Sequence, residues 1–327
     1  MAKVSVIIPV YRVEDFIGKC LDSLVSQTMD DVEYIFVDDA SPDRSMEIVA
    51  QRMSENPVFA SRSRILHHDV NKGLPAARNT GLAVASGEYV LHCDSDDYLE
   101  PEMIREMYSA AVEQSADIVW CDWFLTFSRD SRYMKEPDFT SADKALSCML
   151  GGGMKYNVWN KLVRRRLYTD NGISFPDGHG MGEDMTMMML FACASKVFHL
   201  TKALYHYVKM NVNAMGNSAG PERLAALDYN VRRTADFLKK YFGSRYDREI
   251  AFLKLQTKFP LLIMTDDWGN FRKWRSLYHD TDRYIMKNPY VSFRIRCVQW
   301  CASHGLFVLV SIHYILVCRL FYGVVYR

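Results

Sequence analysis

Gly87-Glu-Tyr-Val-Leu-His-Cys-Asp-Ser-Asp-Asp97 reads as a short apolar strand that runs straight into carboxylates. Glu88 to His92 has the length and apolar character of a buried strand. Asp94 to Asp97 then fall at its carboxyl end. Two carboxylates separated by one residue, Asp94 and Asp96, can reach one divalent cation and its waters. Hard oxygen ligands suit Mg2+ or Mn2+, which keep waters and take further ligands from phosphates. A solvated turn that caps the next helix has the same letters, so the motif takes its meaning from its surroundings. Asp97 reads as such a cap or as a group that orients the loop.

The surroundings alternate. Val4 to Val10 is a β-branched run, and Phe16, Ile17, Cys20, Leu21, Leu24 and Val25 follow at helical spacing within 14–26. Glu33 to Asp38 is a second strand that ends in acids, and Arg44 to Glu55 is helical. Ser63 to His67 is a short strand, and Gly73 to Ala85 a helix whose early Pro75 suits a first turn. This alternation is the signature of a parallel sheet with helices on both faces. Such sheets bind ligands beyond the carboxyl ends of their strands. Tyr11, Asp38-Asp39 and Asp94 to Asp97 all lie at those ends, so one rim carries a pocket.

Beyond residue 100 the pattern is less regular. Pro101 to Gln114 and Ser141 to Leu150 read as helices, and Asp117 to Trp123 as a strand. Val197 to Leu200 and Ala203 to Val208 look extended, and Pro221 to Phe242 is an amphipathic helix. The chain has 327 residues, enough for about two domains. With a net charge of +1 it is not a globally basic nucleic-acid binder, and no nucleic-acid partner is expected. Its eight cysteines form no Cys-x2-Cys pair, so a zinc ribbon is disfavoured and free thiols in a reducing compartment are expected. The first residues enter a strand directly, without the apolar core of a signal peptide, which points to the cytoplasm.

The strand ends resemble family 2 glycosyltransferases, which have the GT-A nucleotide-sugar fold. The matching strings are Val4-Ser-Val-Ile-Ile-Pro-Val-Tyr11, Tyr34-Ile-Phe-Val-Asp-Asp-Ala-Ser41, Asn71-Lys-Gly-Leu-Pro-Ala-Ala-Arg-Asn79, the opening string 87–97, and Gly182-Glu-Asp184. They occur in family order. The resemblance implies an α/β fold with a mostly parallel central sheet flanked by helices and a helical C-terminal extension. It implies a catalytic domain over 1–215, with a nucleotide-binding half (1–100) and an acceptor half (101–215), and a helical region over 216–327.

The same resemblance assigns roles. Pro9 and Tyr11 flank the nucleotide base, the ring offering a stacking face. Glu14 lies near the nucleoside. Asp39 accepts from the base edge (the uracil N–H in UDP-using members), while Asp38 supports the loop. Lys72 and Arg78 line the donor pocket, where cations offset phosphate charge; from its residue type alone, Arg78 equally reads as a structural ion-pair partner. Asp94 faces the ribose or a metal-bound water, with Ser95 in the same donor loop. Asp96 ligates a Mn2+ or Mg2+ that bridges the donor diphosphate. Asp184 is the general base for the acceptor hydroxyl, with Glu183 as its alternative, and direct attack inverts the anomeric carbon. Read on position alone, Glu183-Asp184 is a cap whose charge the helix dipole favours and keeps ionised. On the acceptor side, Trp159 offers a platform for a sugar face or is a core tryptophan, and Lys161 approaches phosphate. His179, beside three glycines, is a weaker candidate for substrate or metal contact. Tyr205-His-Tyr-Val-Lys-Met210, followed by Asn217-Ser218, matches a segment that often has Arg where Lys209 stands, so the bidentate fork is missing there.

The implied reaction moves a hexose or N-acetylhexosamine from a nucleotide diphosphate sugar to a glycan or lipid-linked glycan. Two other readings fit less of the chain. A haloacid-dehalogenase-type phosphotransferase leaves Tyr11, Asp39 and Asp184 unexplained, and a non-catalytic sugar-binding module leaves Asp96 and Asp184 without work. No Gly-x-Gly-x-x-Gly follows the first strand, so a dinucleotide oxidoreductase lacks support. The tail differs from the body: Arg283 to Arg327 holds six Lys/Arg and no Asp or Glu. Gly305 to Val325 is 21 residues long and mostly apolar, but His313 and Arg319 interrupt it. A span and a buried helix are both compatible with it. Its cationic, aromatic character favours an interfacial helix, which would place the protein at the inner face of a membrane.

Overall fold

The structure is a computed structural model that describes residues 2–211, 221–264 and 266–321. Asn217-Ser218 and the last residues of the apolar tail lie outside the described residues. In chain order the first elements are β1 (Val4–Val10), α1 (Ile17–Val25), β2 (Val32–Asp38), α2 (Ser45–Glu55), α3 (Pro57–Ser61), β3 (Ser63–His67), α4 (Leu74–Val84) and β4 (Tyr89–His92). Then come β5 (Tyr98–Leu99), α5 (Met103–Glu113), β6 (Ile118–Thr126), β7 (Ser131–Met134), α6 (Ala142–Gly151), β8 (Lys161–Arg164), α7 (Arg166–Asp170), α8 (Thr186–Cys193) and β9 (Val197–Val208). The rest is helical: α9 (Pro221–Phe242), α10 (Asp247–Lys258), α11 (Trp268–Ser276), α12 (Phe293–Ser303) and α13 (Phe307–His313).

The strands form one sheet in the order β3-β2-β1-β4-β8-β6-β9-β5, with β7 beside β6. The four strands read from the sequence are parallel neighbours. Every residue of β1 is buried, as a strand covered on both faces requires. Because β2 and β4 flank β1 on opposite sides, the connections reverse direction at β1, the place where such sheets open a crevice. Pro9 is tolerated there for a local reason. The β1–β4 ladder ends at Ile7↔His92, and Cys93 N donates to Ile7 O at 3.0 Å. The missing N–H of Pro9 therefore falls where β4 has already left the sheet.

The outer half differs in detail from the sequence expectation. β8 pairs antiparallel with both β4 and β6 and was not anticipated, because Lys-Leu-Val-Arg is too short to show a period. The two extended stretches at 197–208 are one strand, β9, parallel to β6 with register shifts around Asp122.

Contacts divide the chain into two compact units, residues 1–145 with 156–230, and residues 146–155 with 231–327. The division falls inside α9 rather than between 215 and 216. The first turns of α9 go with the first unit because Asn230 Nδ2 donates to the carbonyls of His179 and Met181 at 3.0 and 3.1 Å. The second unit has its own core, which includes Leu255, Phe271, Trp274 and Val298.

One close approach holds β1 against the residues that lead into β4. A Cβ at Gly87 would lie 2.6 Å from Ser5 N and 2.7 Å from Ser5 Oγ. Gly87 N also donates to Ser5 Oγ at 2.8 Å. Gly87→Ala is expected to force β1 and β4 apart and cost about 1–3 kcal/mol, read as a lower urea midpoint. An unchanged midpoint would show that this contact has slack.

Candidate active site

The ends of β1 and β2 carry strained backbone. Arg12 and Ala40 have φ of 53° and 56°, conformations that non-glycine residues adopt only when their surroundings impose them. Between β1 and Arg12 stands Tyr11, whose side chain is exposed, so it is not the core residue its ring alone would allow. Pro9 is buried. Asp38 holds its own loop: Oδ1 accepts from Ser41 N at 2.9 Å and Oδ2 lies 3.0 Å from His67 Nδ1.

Asp39 does similar work across a longer gap. Its Oδ1 accepts from Lys72 N at 2.8 Å and lies 2.7 Å from His68 Nδ1, and its Oδ2 accepts from Gly73 N at 2.8 Å. Asp39 is thus a buried clasp between β2 and the turn that opens α4, not a carboxylate standing free in the pocket. Lys72 leaves that clasp with its side chain exposed. Glu14 is also exposed, and its Oε2 accepts from Arg44 N at 3.0 Å, at the start of α2.

The loop after β4 is fixed from β9. Tyr205 Oη donates to Asp97 Oδ2 at 2.8 Å and accepts from Asp94 N at 3.1 Å. Val208 N donates to Asp97 Oδ1 at 2.7 Å. Asp97 therefore orients the loop rather than capping a helix. Burial, with the charges of Asp96 and Asp94, holds its carboxyl well above the usual range. Ser95 is buried, while Asp94 and Asp96 are partly open. Asn211 Nδ2 donates to Asp96 Oδ2 at 2.9 Å. Burial and the charge of Asp94 raise the Asp96 carboxyl too.

One guanidinium then joins two distant parts of the chain. Arg78, on α4, is buried, and its Nη2 lies 3.0 Å from Asp94 Oδ1, 3.4 Å from Glu183 Oε1 and 4.0 Å from Asp184 Oδ1. Of the two sequence readings of Arg78, the structure shows the ion-pair partner, and the carboxylates it meets belong to the candidate site. Arg78 Nε and Nη1 and Asp184 Oδ1 have no hydrogen-bond partner among the described residues. Buried orphans of this kind are uncommon in folded proteins.

Glu183 and Asp184 sit in a 3-10 turn that leads into α8, after Gly182 at φ 85°. The helix N-terminus is not the only influence on the Asp184 carboxyl. Burial pushes its carboxyl up, and the opposing charge of Arg78 does not cancel that. Glu183 is raised further, by burial and then by the Asp184 charge. A carboxyl with a raised pKa is closer to what proton abstraction near neutrality needs.

The loop before this turn is pinned by a residue given no separate role above. Asn79, one residue after Arg78, donates through Nδ2 to Phe175 O at 2.9 Å and Asp177 Oδ1 at 2.8 Å, and accepts from Phe175 N at 2.8 Å. Its place in the string ending Arg78-Asn79 was the available signal. Tyr205 and Asn211 were likewise without roles in the sequence reading. His179 stacks on Tyr229 with ring centroids 3.6 Å apart, an aromatic contact rather than a contact to the carboxylates.

The two acceptor-side candidates are corrected. Trp159 is buried, with Tyr205 and Tyr207 stacked at 4.5 and 5.6 Å, so its face is covered by protein rather than open to a sugar. Lys161 is fully buried on β8, where Nζ donates to Asn157 O and Asn160 Oδ1, both at 2.8 Å. Burial brings its pKa down to about 8. It serves the turn before β8 and does not reach out as a surface cation.

The sequence model described as Glycosyl transferase family 2 matches residues 5–186, which include Arg78, Asp94 and Asp184. The glycosyltransferase EpsJ of Bacillus subtilis (strain 168) is 33% identical over 260 residues, covering 76% of this chain and 69% of that one. The poly(ribitol-phosphate) beta-glucosyltransferase of Bacillus spizizenii is 36% identical over 216 residues, 63% of this chain but 32% of the relative. The crystal structure of S. aureus TarS 1-349 in complex with UDP-GlcNAc superposes with a TM-score of 0.68 at 21% identity, covering 95% of this chain and 91% of that one, a likeness of fold that identifies the GT-A architecture. A family match over more than half of the chain, with a relative a third identical across most of both proteins, leads to one conclusion: this chain belongs to glycosyl transferase family 2.

Proposed function

We propose that this glycosyltransferase moves a hexose or N-acetylhexosamine from a UDP-sugar to a hydroxyl of a glycan or lipid-linked glycan, with inversion. The observation that carries the reading is the Arg78 cluster, which draws the loop after β4 and the turn before α8 onto one cation. A donor held at the first and an acceptor held at the second would meet there. Asp184 takes the proton of the acceptor hydroxyl while its oxygen bonds to the anomeric carbon, and the bond from that carbon to the diphosphate breaks on the opposite face. The complex of TarS with UDP-GlcNAc supports a UDP-sugar as donor, and the name of the Bacillus spizizenii relative supports a hexose.

Within the donor loop, Tyr11 and Pro9 would flank the base, and Asp39 would offer the remaining lone pair of Oδ2 to its edge. Lys72 and Glu14, exposed on the same rim, would line the nucleoside and phosphate path. Among the described residues no three His, Cys, Asp or Glu side chains cluster to hold an ion alone. The donor set still fits Mn2+ or Mg2+, which are commonly held by one or two carboxylates plus substrate phosphates. Asp96 would hold it, with Asp94 and Ser95 beside it. Burial and the neighbouring charge of Asp94 raise the Asp96 carboxyl, and a cation there would offset both. Bound there, the ion would stabilise the negative charge that develops on the departing diphosphate.

Thermal unfolding tests the donor half directly. At a hundred times its Kd, UDP is expected to stabilise the chain by about 2.7 kcal/mol in Mn2+ or Mg2+, and to lose that effect in EDTA. A shift of equal size in EDTA would remove the metal, and no shift under any condition would remove the UDP-sugar.

A further inference from the structure

The second unit presents an outward face that is apolar where a helix in water is ordinarily polar. Val310 of α13 lies in that unit's core with Phe271 and Trp274. Leu309, Ile312 and Leu316, on α13 and the π-helical turns that continue it (Tyr314–Phe321), are instead 50, 47 and 57% exposed. Phe293, which opens α12, is 64% exposed. The face belongs to ordered structure: Trp268 Nε1 of α11 donates to Ser311 Oγ at 3.1 Å, and Arg294 of α12 lies 2.6 Å from His313 Nε2. An exposed apolar patch of this kind marks an interaction site.

Charge selects the occupant. No Asp or Glu occurs from Arg283 to Arg327, while Arg294 and Arg319, both exposed, fall within the helices of this face. Of the acids that precede it, Asp267 caps α11 through Gly269 N, Asp282 meets Lys258 at 3.0 Å, and Asp266 and Asp280 lie outside α12, α13 and the π-helical turns. A symmetric contact with a second copy would set arginines against arginines with no acid to answer them. Among the described residues no helix is long and apolar enough to cross a membrane.

We infer that this face docks on a membrane surface rich in anionic lipid headgroups. Leu309, Ile312, Leu316 and Phe293 enter the boundary of the acyl chains, and the arginines meet headgroup phosphates. The inference rests on this unit alone and does not depend on the donor or the base. An enzyme held in this way meets acceptors that are themselves confined to the surface.

Flotation of the full chain with vesicles tests it. The chain is expected to float with vesicles that contain phosphatidylglycerol, to stay behind with phosphatidylcholine alone, and to be released by high salt. Combined Leu309→Ser, Ile312→Ser and Leu316→Ser should lower the bound fraction about tenfold or more. Because the three side chains are exposed, the thermal transition of this variant should match that of the wild type. Absence of the wild type from anionic vesicles, equal flotation with both vesicle types, or undiminished binding by the triple variant would each overturn the inference. So would light scattering that shows a dimer dissociated by the same three substitutions, which would give the face to a second copy.

Discussion

Asp184→Asn is expected to retain UDP-sugar binding and to lose transfer by about 10²–10⁴-fold, the usual worth of a positioned general base. The asparagine keeps the size of the side chain and the geometry of the turn before α8. It removes a carboxylate that would accept the proton. The pH profile supplies a second readout. Burial raises the Asp184 carboxyl against the pull of Arg78, so its protonation begins above the ordinary aspartate range. The base works only when unprotonated. Transfer by the wild type should therefore fall as pH drops through that raised value, and the variant's residual rate should lack this acid limb. Single-turnover assays with saturating donor would separate loss of chemistry from loss of binding. Equal rates for variant and wild type would remove Asp184 as the base and leave Glu183 to be tried.

Arg78→Met should be the most destabilising single change in the site. Its guanidinium answers Asp94, Glu183 and Asp184 while fully buried itself. Removing one partner of a buried ion pair leaves uncompensated charge and costs about 3–5 kcal/mol. The sign of the pH effect follows from the two carboxyls already raised by burial, Glu183 and Asp184. Without Arg78 they rise further. A carboxyl raised in the folded state stabilises fully below its unfolded pKa and loses that contribution as pH climbs through the folded value. The deficit of Arg78→Met relative to wild type should therefore shrink on acidification. Arg78→Lys should recover only part of the loss, because a point charge cannot replace a planar fork. A methionine variant as stable as wild type at neutral pH would mean that these carboxyls are already neutral in the fold and that Arg78 does not hold the two loops together.

The first hundred residues were legible because their signals are local. β1, β2 and β4 are apolar runs with polar residues at their carboxyl ends, and α1 repeats Ile17, Cys20, Leu21 and Leu24 at helical spacing. β8 was not legible, since four residues gain strand geometry only from the neighbours on each side. The same holds for Trp159 and Lys161. Their residue types fit a sugar platform and a phosphate contact equally well until the rings and carbonyls around them are known.

The sequence by itself determined the alternation of strands and helices, the rim on which the acids fall, and the family to which their order belongs. Those follow from periodicity and turn chemistry, which act over a few residues. The tertiary structure alone decided that Arg78 binds Asp94 and the Glu183-Asp184 turn, that Asp39 and Asp97 are clasps, and that Asp184 sits above its ordinary proton affinity. Desolvation and Coulomb attraction depend on separation in space, and residues 78, 94 and 184 become neighbours only when the sheet has closed around them.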